Sequence, residues 1–134
     1  MRTITAAVLL LVSLACHAET PQQIRQTYVS EASSQQADFT PSAKRGEAFF
    51  HKRFAINEKM PGCASCHTDN PLNAGQHAVT GKAIKPMAVT ANAERFSDPA
   101  KVEKWFGRNC KEVVGRACTS AEKADFMTYL SEVR

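Results

Sequence analysis

The segment Cys63-Ala64-Ser65-Cys66-His67 is the part of this chain best equipped for chemistry. Two thiols separated by two residues lie about one turn apart, so both can reach the two vinyl groups on one edge of a porphyrin. The imidazole that follows at once then falls beneath the ring and faces its iron. Thioether attachment keeps the cofactor on a chain too small to bury it fully. Three blander readings compete: a thioredoxin-type dithiol, half of a zinc site, and a structural disulfide. A dithiol motif belongs in a strand-to-helix setting that the flanking sequence does not supply. Zinc would need two more ligands, and Cys110 and Cys118 would have to stay reduced to provide them. One covalently attached haem c, bound through Cys63 and Cys66 with His67 as axial ligand, is the expectation.

A haem also accounts for an odd composition. The chain has 134 residues, 43% hydrophobic and only 7% aromatic, yet it holds five cysteines. That length suits one compact domain and excludes a collagen, a disordered tail or a multi-pass membrane protein. The formal charge of +4 is mild and dispersed, too weak to point to nucleic acid. Residues 1–18 read as a secretory signal: Arg2, an apolar run from Ile4 to Ala15, and small residues before a cut after Ala18. The run is too short for a permanent membrane span. Ser13-Leu14-Ala15-Cys16 weakly resembles a lipoprotein box, so a lipid anchor on Cys16 is the lesser alternative to soluble export to the periplasm. Removing the signal takes one arginine and one cysteine, leaving +3 and an even set of thiols: Cys63, Cys66, Cys110 and Cys118. An oxidising compartment favours oxidation of the last two.

The elements that must position these residues are helical. Residues 19–39 form an N-terminal helix, Pro21 to Ala32, with Ile24, Tyr28, Val29 and Ala32 on one face, and a polar linker. A domain of residues 40–134 follows. Thr40 and Pro41 open a second helix that ends near Phe54 and carries Gly46, where a close backbone contact is expected. Asn70 to Ala93 reads as one long loop, and such loops in small domains usually surround something functional. Asp98-Pro99 starts a helix through Trp105 and Phe106 that Gly107 stops. Thr119-Ser120-Ala121-Glu122 is a capping box opening the last helix, with Phe126, Met127, Leu130 and Val133 as its apolar face. No segment alternates like a strand. The second and last helices are expected to cross at Gly46, packing Phe50 against Phe126, Tyr129 or Leu130.

The iron's other axial position decides function. Met127 belongs to an apolar helix face, and Met60 is too near Cys63 to cross to the opposite side. Met87 is the sulfur candidate; His51 and His77 read as surface imidazoles that could also ligate. Asn109, in Gly107-Arg108-Asn109, reads first as a turn or cap residue just past a helix end.

At this point the chain resembles a known family. Gly46, Phe49, Phe50 and the haem motif match the small all-α fold of class I cytochromes c. Arg95-Phe96-Ser97-Asp98-Pro99, Val102 to Cys110, Val114-Gly115-Arg116-Ala117-Cys118 and Glu122 to Asp125 resemble the sphaeroides haem protein family more specifically. The resemblance implies an asparagine as axial ligand in the oxidised protein, which maps to Asn109, and a disulfide between Cys110 and Cys118. It implies that the asparagine leaves on reduction, letting oxygen, nitric oxide or cyanide bind, and that a dihaem or other cytochrome c donates the electron. An amide is a hard, weak donor better suited to ferric than to ferrous iron, which agrees with that assignment. Trp105 would donate to a haem propionate or pack in the core; Arg108 would donate to a bound anion or to oxygen, or simply be solvated.

Two other readings carry different consequences. Met87 with His67 would make a plain electron carrier. A colourless protein would point to a non-haem metal or thiol module. No acid–base pair in the sequence marks a catalytic reaction.

Overall fold

The computed structural model of the chain describes residues 18–134. The signal reading and Cys16 lie outside them. Five α-helices and one minimal hairpin follow in order: α1 (Pro21–Gln35), α2 (Ala43–His51), α3 (Ala64–His67), β1 (Gly75–Gln76), β2 (Ala83–Ile84), α4 (Pro99–Asn109) and α5 (Ser120–Glu132). A π-helical turn, Cys110–Val114, continues α4 without a break.

The cores form around α5. Its residues Ala124 to Leu130 are all buried, so it is enclosed on every side rather than amphipathic. Ile24 and Tyr28 of α1 join Val102, Ala124 and Met127 in one cluster. Phe50 of α2 joins Met87, Phe126, Tyr129 and Leu130 in a second. The expected crossing at Gly46 is present. A methyl group there would lie 2.0 Å from the Asp125 carbonyl oxygen, and Phe50 stacks 6.1 Å from Phe126 and 5.8 Å from Tyr129. Two polar groups inside α5 are satisfied. The Asp125 carboxylate accepts from the Ser42 amide at 2.7 Å and from the Arg45 guanidinium at 2.7 and 2.9 Å. The Thr128 hydroxyl donates to the Ala124 carbonyl at 2.7 Å.

Local signals explain most boundaries. Thr20 and Thr119 each form a capping box, with Gln23 and Glu122. Helix α1 runs one turn past Ala32, taking in the start of the polar linker. Three expectations are corrected. Ser42, not Thr40, caps α2, because its hydroxyl accepts from the Arg45 amide, and the helix stops at His51. Gly107 does not stop α4: a methyl there would meet nothing within 4 Å, and the helix runs to Asn109. The long loop contains an antiparallel pair, Gly75 opposite Ile84 and Gln76 opposite Ala83, too short to show alternation. Among the described residues no helix is long and apolar enough to cross a membrane.

Candidate functional site: a haem-attachment helix and a π turn

Helix α3 is the haem motif itself. Cys63 is its first flanking residue, and the Cys66 and His67 amides both donate to the Cys63 carbonyl, at 3.2 and 3.1 Å. That single turn brings the two thiols and the imidazole together. Cys63 and Cys66 are unpaired. Burial pushes the Cys63 thiol up to about 11, assisted by Cys66, so it is not a thiolate at neutral pH. A reactive dithiol calls for the opposite shift.

Burial also holds the His67 imidazole neutral, lowering it to about 4, with Arg95 and His77 adding to the effect. A neutral ring keeps the lone pair that a metal needs. Its Nδ1 is buried without a hydrogen-bond partner. Two free thiols, a buried neutral imidazole with an unpartnered nitrogen, and one turn joining them fit a covalently attached haem.

The chain around α3 is drawn tight. A methyl group on Gly75 would lie 2.0 Å from the Cys66 carbonyl oxygen, so the first strand passes directly over the motif. The Ala78 amide lies 3.2 Å from Cys66 Sγ. Thr68, just after His67, holds a positive φ of 62°, a conformation costly for a β-branched residue. Pro71 is fully buried, and its carbonyl accepts from the Met87 and Ala88 amides at 3.0 and 2.9 Å.

Those bonds place Met87. It is 8% exposed and packs in the Phe50–Phe126–Leu130 cluster, which Cys63 and Ala64 also border. Its loop position in sequence becomes a core position because Pro71 pins its backbone. Met127 is fully buried in the other cluster, as its helix face suggested. His77 Nδ1 accepts from the Val79 and Thr80 amides, each at 3.2 Å. His51 sits at the surface 4.0 Å from Asp69.

Asn109 is the last residue of α4, with helical φ and ψ of −69° and −34°. The turn or cap expected from Gly107-Arg108-Asn109 is absent. The chain winds on through the π turn, which closes where the Gly115 amide donates to the Cys110 carbonyl at 3.0 Å, with Gly115 at φ +80°. Cys110 and Cys118 form a disulfide across a separation of eight residues. π turns of this kind recur at functional sites because they reposition one residue without breaking the helix. Trp105, one turn before Asn109, is 49% exposed and outside both core clusters, which corrects its core reading. Arg108 pairs with Glu112 at 3.1 Å.

Sequence reasoning missed Ile56, which is 61% exposed in the loop before the haem motif. A methyl on Gly115 would come within 3.2 Å of Ile56 Cγ1, so that loop meets the end of the Asn109 turn. No periodicity marks either residue. Arg95, in sequence only part of a motif, donates to the carbonyls of Pro86 at 2.8 Å and Lys85 at 2.5 Å and adds positive potential at His67.

Residues 36–130 match the family described as Domain of unknown function (DUF1924). Cytochrome c'' of Methylophilus methylotrophus is 45% identical over 91 residues, 67% of this chain and 63% of that protein. The chain thus spans under two thirds of that relative's length. The cytochrome c-type protein SHP of Cereibacter sphaeroides is 46% identical over 90 residues, 66% of this chain and 69% of that one. Among solved structures, oxidised SHP, an oxygen-binding cytochrome c, superposes with a TM-score of 0.77 at 39% identity, covering 85% of this chain and 97% of that one. Oxidised cytochrome c'' gives 0.78 at 38% identity, covering 85% and 94%. The small helical fold is therefore that of these cytochromes, and its cofactor is covalently bound haem c. The chain belongs to the DUF1924 domain family and, with it, to the sphaeroides haem protein family of c-type cytochromes.

Proposed function

We propose that this protein is an exported, periplasmic cytochrome c that accepts single electrons and binds a small diatomic ligand, oxygen or nitric oxide, in its reduced form. Residues 1–18 are read as its signal and 40–134 as the haem-carrying domain. Haem c supplies a redox-active iron with two axial positions. Cys63 and Cys66 would hold it by thioethers, and His67 would supply an imidazole nitrogen to its iron. Its neutrality and burial keep that ligand available across the physiological range.

Asn109 is the displaceable partner. The observation that carries this assignment is its position at the junction of α4 and the π turn, directly before the bonded Cys110. A weak amide donor stays in place only on a backbone held from both sides, as this one is. An amide is a hard, weak donor, so Asn109 would hold ferric iron better than the softer ferrous ion. Met87 is less suited to the role, because its thioether fills a core cluster. Support also comes from the relatives: SHP binds oxygen, and the solution structure of cytochrome c'' concerns haem-ligand detachment. Trp105 is assigned a contact with the haem edge, its indole N–H donating to a propionate. A dihaem or other cytochrome c is the electron donor.

The test is the visible spectrum of the ferrous protein with and without carbon monoxide. A clear spectral change is expected. An unresponsive ferrous spectrum would leave only an electron carrier.

A further inference from the structure

Helix α4 and the π turn that continues it present four cations in a row. Lys101, Lys104, Arg108 and Lys111 are all exposed and spaced three, four and three residues apart, which places them along one face. Two of them flank the exposed Trp105: Lys104 Nζ lies 6.0 Å and the Arg108 guanidinium 5.8 Å from its ring centroid. The neighbouring acids cancel only part of this charge and leave Lys104 and Lys111 over. Glu103 faces the other way, accepting from the Tyr28 hydroxyl at 2.7 Å and pairing with Lys123. Glu112 is matched to Arg108 and Asp98 to Lys101, at 3.1 and 3.5 Å. Lys104 and Lys111 have no ion-pair partner among the described residues.

We infer that this face of α4 is the docking surface for an acidic redox protein, which delivers its electron beside Asn109. Charge complementarity identifies the occupant, since a cationic ring around an exposed aromatic fits carboxylates surrounding an apolar contact. Trp105 lies one helical turn before Asn109. In the transfer, the partner's reduced centre loses one electron and the cytochrome gains it; no bond or proton changes hands. The inference rests on the electron-accepting part of the proposed function and is independent of ligand binding.

The test uses the holoprotein and its Lys101→Glu/Lys104→Glu/Lys111→Glu variant. These three side chains are exposed, so the fold is expected to survive charge reversal, and the midpoint potential and carbon monoxide response of both proteins are measured beside the kinetics. Stopped-flow reduction by reduced flavodoxin, an acidic donor, is followed as a function of salt. At low ionic strength the variant is expected to react ~10-fold or more slowly, with the difference gone near 0.5 M salt, because steering charges act on encounter and are screened. Reduction by hexaammineruthenium(II), a small cation, is expected to be unchanged or faster in the variant. An unchanged rate and salt slope with flavodoxin would overturn the inference, as would equal slowing with both reductants. Retention on phosphatidylglycerol vesicles, with flavodoxin kinetics unaffected, would overturn it in favour of a membrane-facing surface. Loss of the carbon monoxide response with the salt dependence intact would instead sink ligand binding and leave the docking face standing.

Discussion

Cys110 is bonded to Cys118, which ties the residue directly after Asn109 to the approach of α5. The π turn between them is therefore closed at both ends, by the disulfide and by the Gly115 amide on the Cys110 carbonyl. Asn109 holds its helical geometry at the edge of a segment that its own sequence would not keep helical.

Replacing both cysteines should loosen that segment. Cross-linking a loop this short contributes about 2–3 kcal/mol through the unfolded chain. The Cys110→Ser/Cys118→Ser variant is expected to lose about that much in denaturant unfolding. Its ferric spectrum should also show a partly displaced distal ligand. Full stability together with a wild-type ferric spectrum would show that the disulfide does not hold the turn.

Two glycines should respond oppositely to the same change. Gly75→Ala forces a methyl against the Cys66 carbonyl and is expected to cost several kcal/mol and reduce haem attachment. Gly107→Ala meets open space in mid-helix and is expected to stabilise by about 0.5–1 kcal/mol, raising Tm by about 3 °C. Paired melting curves and haem-to-protein absorbance ratios distinguish them. Equal effects would mean that the strand does not press on the haem motif.

The haem-free chain should be acid-sensitive through His67. Its imidazole is lowered to about 4 in the folded protein against 6.5 unfolded. The unfolded chain therefore binds more protons between those values. The stabilisation is complete above about pH 6.5 and is lost as pH falls toward 4, amounting to about 3 kcal/mol. Urea unfolding of haem-free protein across that window should show this slope, and His67→Gln should flatten it. An equally steep slope in the variant would assign the acid sensitivity elsewhere.

Tyr28 should matter although α1 lies outside the matched family domain. Its hydroxyl donates to Glu103, and the Lys123 ammonium lies 4.8 Å from its ring, so α1, α4 and α5 meet at one point. Burial resists ionisation of Glu103, but Lys123 and Tyr28 together keep its carboxyl below the usual range. Tyr28→Phe is expected to cost about 1 kcal/mol at neutral pH in thermal or urea unfolding. No loss would mean that the hydroxyl adds nothing to the packing of α1.

The haem motif was legible because its chemistry is local: five consecutive residues fold as one turn. The capping box of α5 and the Gly46 crossing were legible for the same reason, each being written in a few adjacent residue types. The end of α4 was not. Gly107 and Asn109 have turn propensities, and what overrides them is a disulfide to a residue beyond the helix and a carbonyl–amide bond to Gly115. Met87, the sulfur candidate, stands in a loop stretch of the sequence, and its burial is hidden because the bonds that bury it run to Pro71, far back along the chain. Enclosure of α5 on all sides was hidden by Asp125 and Thr128, polar residues whose partners come from α2 and from the helix's own backbone.

The central claim is that Asn109 is a ligand of the oxidised protein alone. The direct measurement is the visible spectrum of Asn109→Ala against wild type in both oxidation states. The account predicts a changed ferric spectrum and an unchanged ferrous one, because the amide has already left when the protein is reduced. A ferric spectrum indifferent to Asn109→Ala, with a sulfur-to-iron charge-transfer band lost in Met87→Ala, would contradict it.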